Sequence, residues 1–161
     1  MKGTLVVYFS RTGYTRRVAE EIARAADADC EAIGERSSRN GLFGYWRSAR
    51  EALRGTAIDI EPGSLNPRDY ALVVLGTPVW AGNVSSPMRA FITRHRRDFA
   101  RVALFCTQGG SGAQKVLDRM AALCDQVPIA TAFFNDSEID RELHAGKRDA
   151  FVALLAARKA A

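Results

Sequence analysis

Tyr70-Ala71-Leu72-Val73-Val74-Leu75-Gly76 is an unbroken apolar run, and it limits the fold more than any other stretch of the chain. A strand with one wet face alternates apolar and polar residues, so a continuous run reads as a strand covered on both faces, central in a parallel sheet. Leu5 to Phe9 and Val102 to Cys106 are apolar in the same way, and Cys30 to Ile33 and Ile129 to Phe134 complete five strands. Helical stripes lie between them. Val18, Ala19, Ile22, Ala23 and Ala26 recur at i, i+3/i+4 over Arg16 to Ala26, with Glu20, Glu21 and Arg24 on the other side. Phe43 to Leu53 reads as a second, strongly basic helix, with Phe43, Trp46, Ala49, Arg50 and Leu53 along its stripe. Ser86-Pro87 supplies an N-cap and a first-turn proline for a third helix that turns Met88, Phe91 and Ile92 inward. A fourth presents Val116, Leu117, Met120, Leu123 and Cys124, and a fifth, Arg141 to Ala157, packs through Leu143, Phe151, Leu154 and Leu155. Gly34 to Gly41 and Pro62 to Asp69 read as connectors, the latter around the turn-initiating pair Asn66-Pro67. Strand–helix units repeated in this way predict an α/β, doubly wound parallel sheet, with sites at the strand C-termini.

At 161 residues and 47% hydrophobic, the chain suits one domain, residues 1–161, with a substantial core. Its +5 charge is spread over several segments and does not indicate nucleic-acid binding. No apolar run has the length of a secretion signal or a spanning helix, so the expectation is a soluble, cytoplasmic protein without membrane association. Cys30, Cys106 and Cys124 are too dispersed for a disulfide framework or thiolate metal site and read as buried thiols. His95 and His144 stand alone on polar segments and read as solvated, so no metal is assigned.

Three loops that share one end of such a sheet depart from ordinary connector chemistry. After the first strand, Ser10-Arg11-Thr12-Gly13-Tyr14-Thr15 joins three hydroxyls, a glycine and the unpaired N–H groups of a helix start. The hydroxyls either cap that helix or, with the N–H groups, cradle a phosphate. After the third strand comes Thr77-Pro78-Val79-Trp80-Ala81-Gly82-Asn83-Val84-Ser85, read as a loop with an exposed tryptophan. After the fourth comes Thr107-Gln108-Gly109-Gly110-Ser111-Gly112, whose glycines allow close backbone approach. An anion cradle beside a tryptophan and a glycine loop suits a ligand with a phosphate tail and a flat ring.

These three segments, in this order and spanning nearly the whole chain, resemble the flavin mononucleotide (FMN) loops of flavodoxins. The resemblance implies a flavodoxin-like three-layer sandwich with a five-stranded parallel sheet of order 2-1-3-4-5. It implies that Ser10, Arg11, Thr12, Gly13, Tyr14 and Thr15 form the phosphate loop. Thr77, Pro78, Val79, Trp80, Ala81, Gly82 and Asn83 then form the first ring-flanking loop, with Trp80 as the stacking residue. Thr107, Gln108, Gly109, Gly110 and Gly112 form the second, at the pyrimidine end of the ring; Ser111 is left without a role. Two departures stand out. Typical flavodoxins are acidic and carry an aromatic in both ring-flanking loops, whereas this chain is basic and its last loop has none. One flavin face is therefore open, or covered by Tyr45 or Trp46 of the basic segment 34–56. With less stacking and less negative charge nearby, the bound flavin is expected to be a weaker reductant than in a typical flavodoxin.

Rival chemistries fit poorly. Ser10 and Arg16 have the spacing of a C-x5-R phosphatase loop, but the loop holds no cysteine, and serine without a base is a poor nucleophile. Ser111 lacks the G-x-S-x-G frame, Lys115 lacks the Walker A context, and Ser10 and Thr77 stand where a phosphoacceptor domain needs aspartates. The expected function is electron transfer between redox partner proteins, acidic ones in view of the chain's charge, through non-covalently bound FMN. The alternative is an FMN-dependent NAD(P)H:quinone oxidoreductase, for which the arginines at 36, 39, 47, 50 and 54 would bind a nicotinamide phosphate; oligomeric state is left open.

Overall fold

The computed structural model describes residues 1–35, 60–61 and 63–159. The second predicted helix, Tyr45, Trp46 and the arginines at 36, 39, 47, 50 and 54 lie outside the described residues.

Along the described chain run β1 (Lys2–Tyr8), α1 (Tyr14–Ala25), β2 (Asp29–Ala32), β3 (Tyr70–Trp80), β4 (Asn83–Val84) and α2 (Ser86–His95). They are followed by β5 (Val102–Gln108), α3 (Ala113–Cys124), β6 (Thr131–Asn135), α4 (Asp136–Asp140) and α5 (Ala145–Lys159). The sheet order is β2-β1-β3-β5-β6, parallel throughout, with β4 pairing antiparallel to β3 off this path. Counting the five parallel strands alone, this is the expected 2-1-3-4-5 order.

The unbroken apolar runs follow from two separate core layers. Leu5, Val7, Val73, Leu75, Leu104 and Cys106 face one way, against Met88, Phe91 and Ile92 of α2 and Val116, Leu117 and Met120 of α3. Val6, Tyr8, Leu72, Val74 and Phe105 face the other way, against Val18, Ala19, Ile22 and Ala23 of α1 and Phe151 and Leu155 of α5. Both faces of the central strands therefore meet helices along their apolar runs, and burying such side chains contributes about 1.5–3 kcal/mol each. Gly76 leaves no room for a side chain: a Cβ there would collide with the Phe105 ring. The ring crosses the strand at that point, and only glycine leaves room for it.

Several expectations are corrected. Thr77 to Trp80 belongs to β3 rather than to a loop, and residues 81–82 turn the chain into a hairpin with β4. Pro78, which donates no backbone hydrogen bond, is accommodated in the strand opposite Thr107. Ser86 is already helical and Ser85 holds the cap position, its side chain bonded to Thr77 rather than to the helix. The last predicted helix, Arg141 to Ala157, begins only at Ala145: residues 141–144 form a turn in which Glu142 takes φ 58, which leaves Leu143 69% exposed, and the separate short helix α4 precedes that turn. Leu154 is also exposed, over a shallow groove beside edge strand β6. Cys30 is exposed on edge strand β2, whereas burial pushes the thiols of Cys106 and Cys124 up to about 12.

Neither histidine is a freely solvated side chain. His144 is 3% exposed with Nε2 2.7 Å from Glu21 Oε2, and His95 lies 3.0 Å from Asp98. Burial alone would raise the Glu21 carboxyl, but bonds to His144, Arg148 and Arg17 outweigh it and hold the group below its ordinary range. This network clamps α1 to the start of α5.

Candidate functional site

Parallel strands end together, so β1, β3, β5 and β6 deliver four connections to one end of the sheet. The first begins α1 through Gly13, whose φ of 100 is left-handed and glycine-specific. The N-cap of α1 is this glycine, so the cap position supplies no side-chain hydrogen bond. Ser10 Oγ instead accepts from Gly13 N at 3.2 Å, folding the loop upon itself, and Thr12 is exposed. The first-turn N–H groups of an α-helix lack intrahelical acceptors and carry the positive end of its dipole, so this helix start offers donors of the kind an anion needs.

Thr15 plays a different part. It is 1% exposed, and its hydroxyl lies 2.8 Å from that of Thr107, joining α1 to β5 beneath the loops. Tyr14 is also turned inward in part, its hydroxyl donating to Asp140 at 3.0 Å.

The second connection is the β3–β4 hairpin. Ala81 and Gly82 both take positive φ, 47 and 69, as a two-residue hairpin turn of the right twist requires. Thr77 is fully buried: its hydroxyl accepts from Ser85 N at 3.2 Å and lies 2.8 Å from Ser85 Oγ, tying the two arms. Asn83 donates to Ala81 O across the turn. Trp80 stands half-buried with its ring edge-to-face with Phe9, centroids 5.3 Å apart. The Arg11 guanidinium lies 5.1 Å from the centroid of the same ring, and its Nη2 is 3.5 Å from Glu35 Oε2.

The third connection is braced by Gln108. Its Oε1 accepts from Ala113 N at 2.9 Å and its Nε2 donates to Asn135 Oδ1 at 2.9 Å, linking β5, α3 and β6. Gly112, φ 105, abuts the hairpin so closely that a Cβ there would lie 3.3 Å from Gly82 Cα. By contrast, a Cβ on Gly13, Gly82 or Gly110 would meet nothing within 4 Å, so each of the three loops turns one glycine to open space.

Of the residues anticipated from the sequence, Thr15, Thr77, Thr107 and Gln108 thus form a buried layer that holds the loops together. Ser10, Thr12, Gly13, Trp80, Ala81, Gly82, Gly109 and Gly110 form the surface above it. Pro78 and Val79 belong to β3, where Val79 pairs with Val84. Sequence reasoning missed the carboxylates. Asp136 Oδ2 stands 3.1 Å from where a Gly109 Cβ would be, and burial first, then Asp140, raises its carboxyl above the ordinary range. The expected lack of negative charge near these loops is therefore corrected at the third. Asp136 directly follows β6, and Glu35 lies three residues beyond the end of β2, so position at strand C-termini was the signal available for both.

Known proteins share this fold. Residues 3–145 match the family model described as flavodoxin. A flavoprotein from Lactobacillus acidophilus, solved in complex with FMN, is 24% identical over 88% of this chain and 98% of its own, with a TM-score of 0.72. A Bacteroides uniformis protein described as a flavoprotein is 20% identical over 90% of this chain and 97% of its own, TM-score 0.73. Megasphaera elsdenii flavodoxin in its two-electron reduced form is 20% identical over 81% and 84%, TM-score 0.54. At these identities the likeness establishes the fold. None of the curated proteins matches the chain.

Proposed function

This chain belongs to the flavodoxin family, and from that premise we infer that it binds FMN non-covalently across the three loops and carries electrons between redox partner proteins. The observation that carries the reading is the convergence of a glycine-led helix start, a half-exposed tryptophan and a glycine loop at one sheet end, each presenting backbone to open space. The residues fit the group. Ser10, Thr12 and the N–H groups at the start of α1 hold the phosphate without a cationic side chain. Trp80 flanks the ring, with Phe9 fixing its angle. The backbone around Gly109 and Gly110 meets the pyrimidine edge, and Asp136 places a carboxyl beside it. FMN supplies one- and two-electron redox chemistry when bound. The protein's own part is to hold the ring at the rim, where a partner protein can approach it.

Absorbance and fluorescence of the purified protein before and after FMN addition test the reading. Bound FMN with quenched fluorescence is expected; a colourless protein that leaves FMN fluorescence untouched would overturn it. Mixing the loaded protein with NADPH and a quinone then separates carrier from enzyme. Negligible steady-state turnover is expected, and sustained turnover would assign an FMN-dependent NAD(P)H:quinone oxidoreductase instead.

A further inference from the structure

We propose that Arg11 is a ring-side cation that favours the reduced flavin rather than a ligand of its phosphate, and that Glu35 tempers the charge the ring feels. The proposal rests on the FMN reading above and gives one residue of the first loop a role which that reading does not assign. Arg11 starts in the phosphate loop, yet two of its contacts lead elsewhere: 5.1 Å to the Trp80 ring centroid and 3.5 Å to Glu35 Oε2. Glu35 bridges to Ile60 across the two ends of segment 36–59, so the guanidinium spans from the ring-flanking hairpin to the foot of that segment. Glu35 Oε1 is buried without a hydrogen-bond partner among the described residues. The other oxygen, Oε2, is the one that faces Arg11.

A guanidinium held against an indole face keeps its charge and is weakly hydrated, so its field reaches a ring stacked at that tryptophan. FMN that takes up two electrons and one proton, the electrons supplied by a low-potential reductant, becomes an anion. A nearby cation favours that anion over the neutral oxidised ring. Glu35, paired to the cation, offsets part of its field. The two residues thus act in opposite directions on one equilibrium, which a purely structural ion pair does not do.

The test compares wild type, Arg11→Gln, Arg11→Lys and Glu35→Gln. The dissociation constant of oxidised FMN is read by fluorescence quenching and the midpoint potential by dithionite titration; together they give the preference for reduced over oxidised FMN. Arg11→Gln is expected to lose about threefold to tenfold of that preference, with oxidised FMN affinity changed by less than about threefold. Arg11→Lys should retain it, and Glu35→Gln should shift it the opposite way. Shifts of the same sign in Arg11→Gln and Glu35→Gln, or no shift in either, would overturn the proposal. So would an equal loss of affinity for both redox forms in Arg11→Gln, which would make Arg11 a phosphate ligand. Wild-type protein that binds no FMN would remove the underlying reading itself, and is recognised before any variant is compared.

Discussion

The first and third loops both enter a helix through a left-handed glycine, Gly13 with φ 100 and Gly112 with φ 105, but they use their polar groups in opposite ways. In the third loop, Gln108 occupies Ala113 N and reaches on to Asn135, so the helix start is bound into the fold. In the first, the cap glycine supplies no side-chain hydrogen bond, and the hydroxyls sit on the loop's own backbone, at the surface or beneath it. One helix start is tied into the fold by the protein's own side chain, while the other keeps its loop glycine facing open space. The same local motif, glycine before a helix, thus braces a wall in one place and, on the FMN reading, cradles the phosphate in the other.

The contrast can be broken experimentally. The largest effect is expected for Thr12→Asp, which puts a negative charge where the phosphate belongs: FMN affinity, measured by quenching, should fall at least about 100-fold while thermal unfolding is unchanged. Undiminished affinity would make the first loop no cradle. Gly112→Ala adds both a strained φ and contact with the Gly82 backbone, and should lower stability to urea by about 2–3 kcal/mol. Gln108→Leu removes both braces of the third loop and should cost about 2 kcal/mol in the same assay. Gly13→Ala, strained but facing open space, should cost only about 1–2 kcal/mol; a cost equal to that of Gly112→Ala would erase the distinction between the two glycines. The smallest effect lies at the far end of α1. The Glu21 carboxyl sits lower in the folded chain than in the unfolded one, so its contribution is complete above its unfolded value and is lost as pH falls through the folded one. Melting temperature followed downward from pH 6 should therefore drop below about pH 4, and less so in Glu21→Gln.

Much of this was legible in the residues. Apolar runs with two-sided burial leave few architectures open, and the three loops at the strand ends then carried the resemblance that implied the strand order. What escaped depended on partners distant in the chain. His144 is polar in its own segment and buried only because Glu21, 123 positions away, receives it. Pro78, Gly82 and Asn83 punctuate like a loop, yet pairing with β5 carries β3 to Pro78 and pairing with β4 carries it on through Trp80 before the chain turns. Leu143 keeps helical spacing with Phe151 but falls in the turn before the helix, beside left-handed Glu142. Glu35 and Asp136 carry no motif; only the sheet brings them to the site.

The buried hydroxyl contacts, Thr15 with Thr107 and Thr77 with Ser85, are complete within the chain itself. On the FMN reading, ligand capture at this end of the sheet meets walls already joined by the chain's own hydrogen bonds, with less ordering entropy to oppose it.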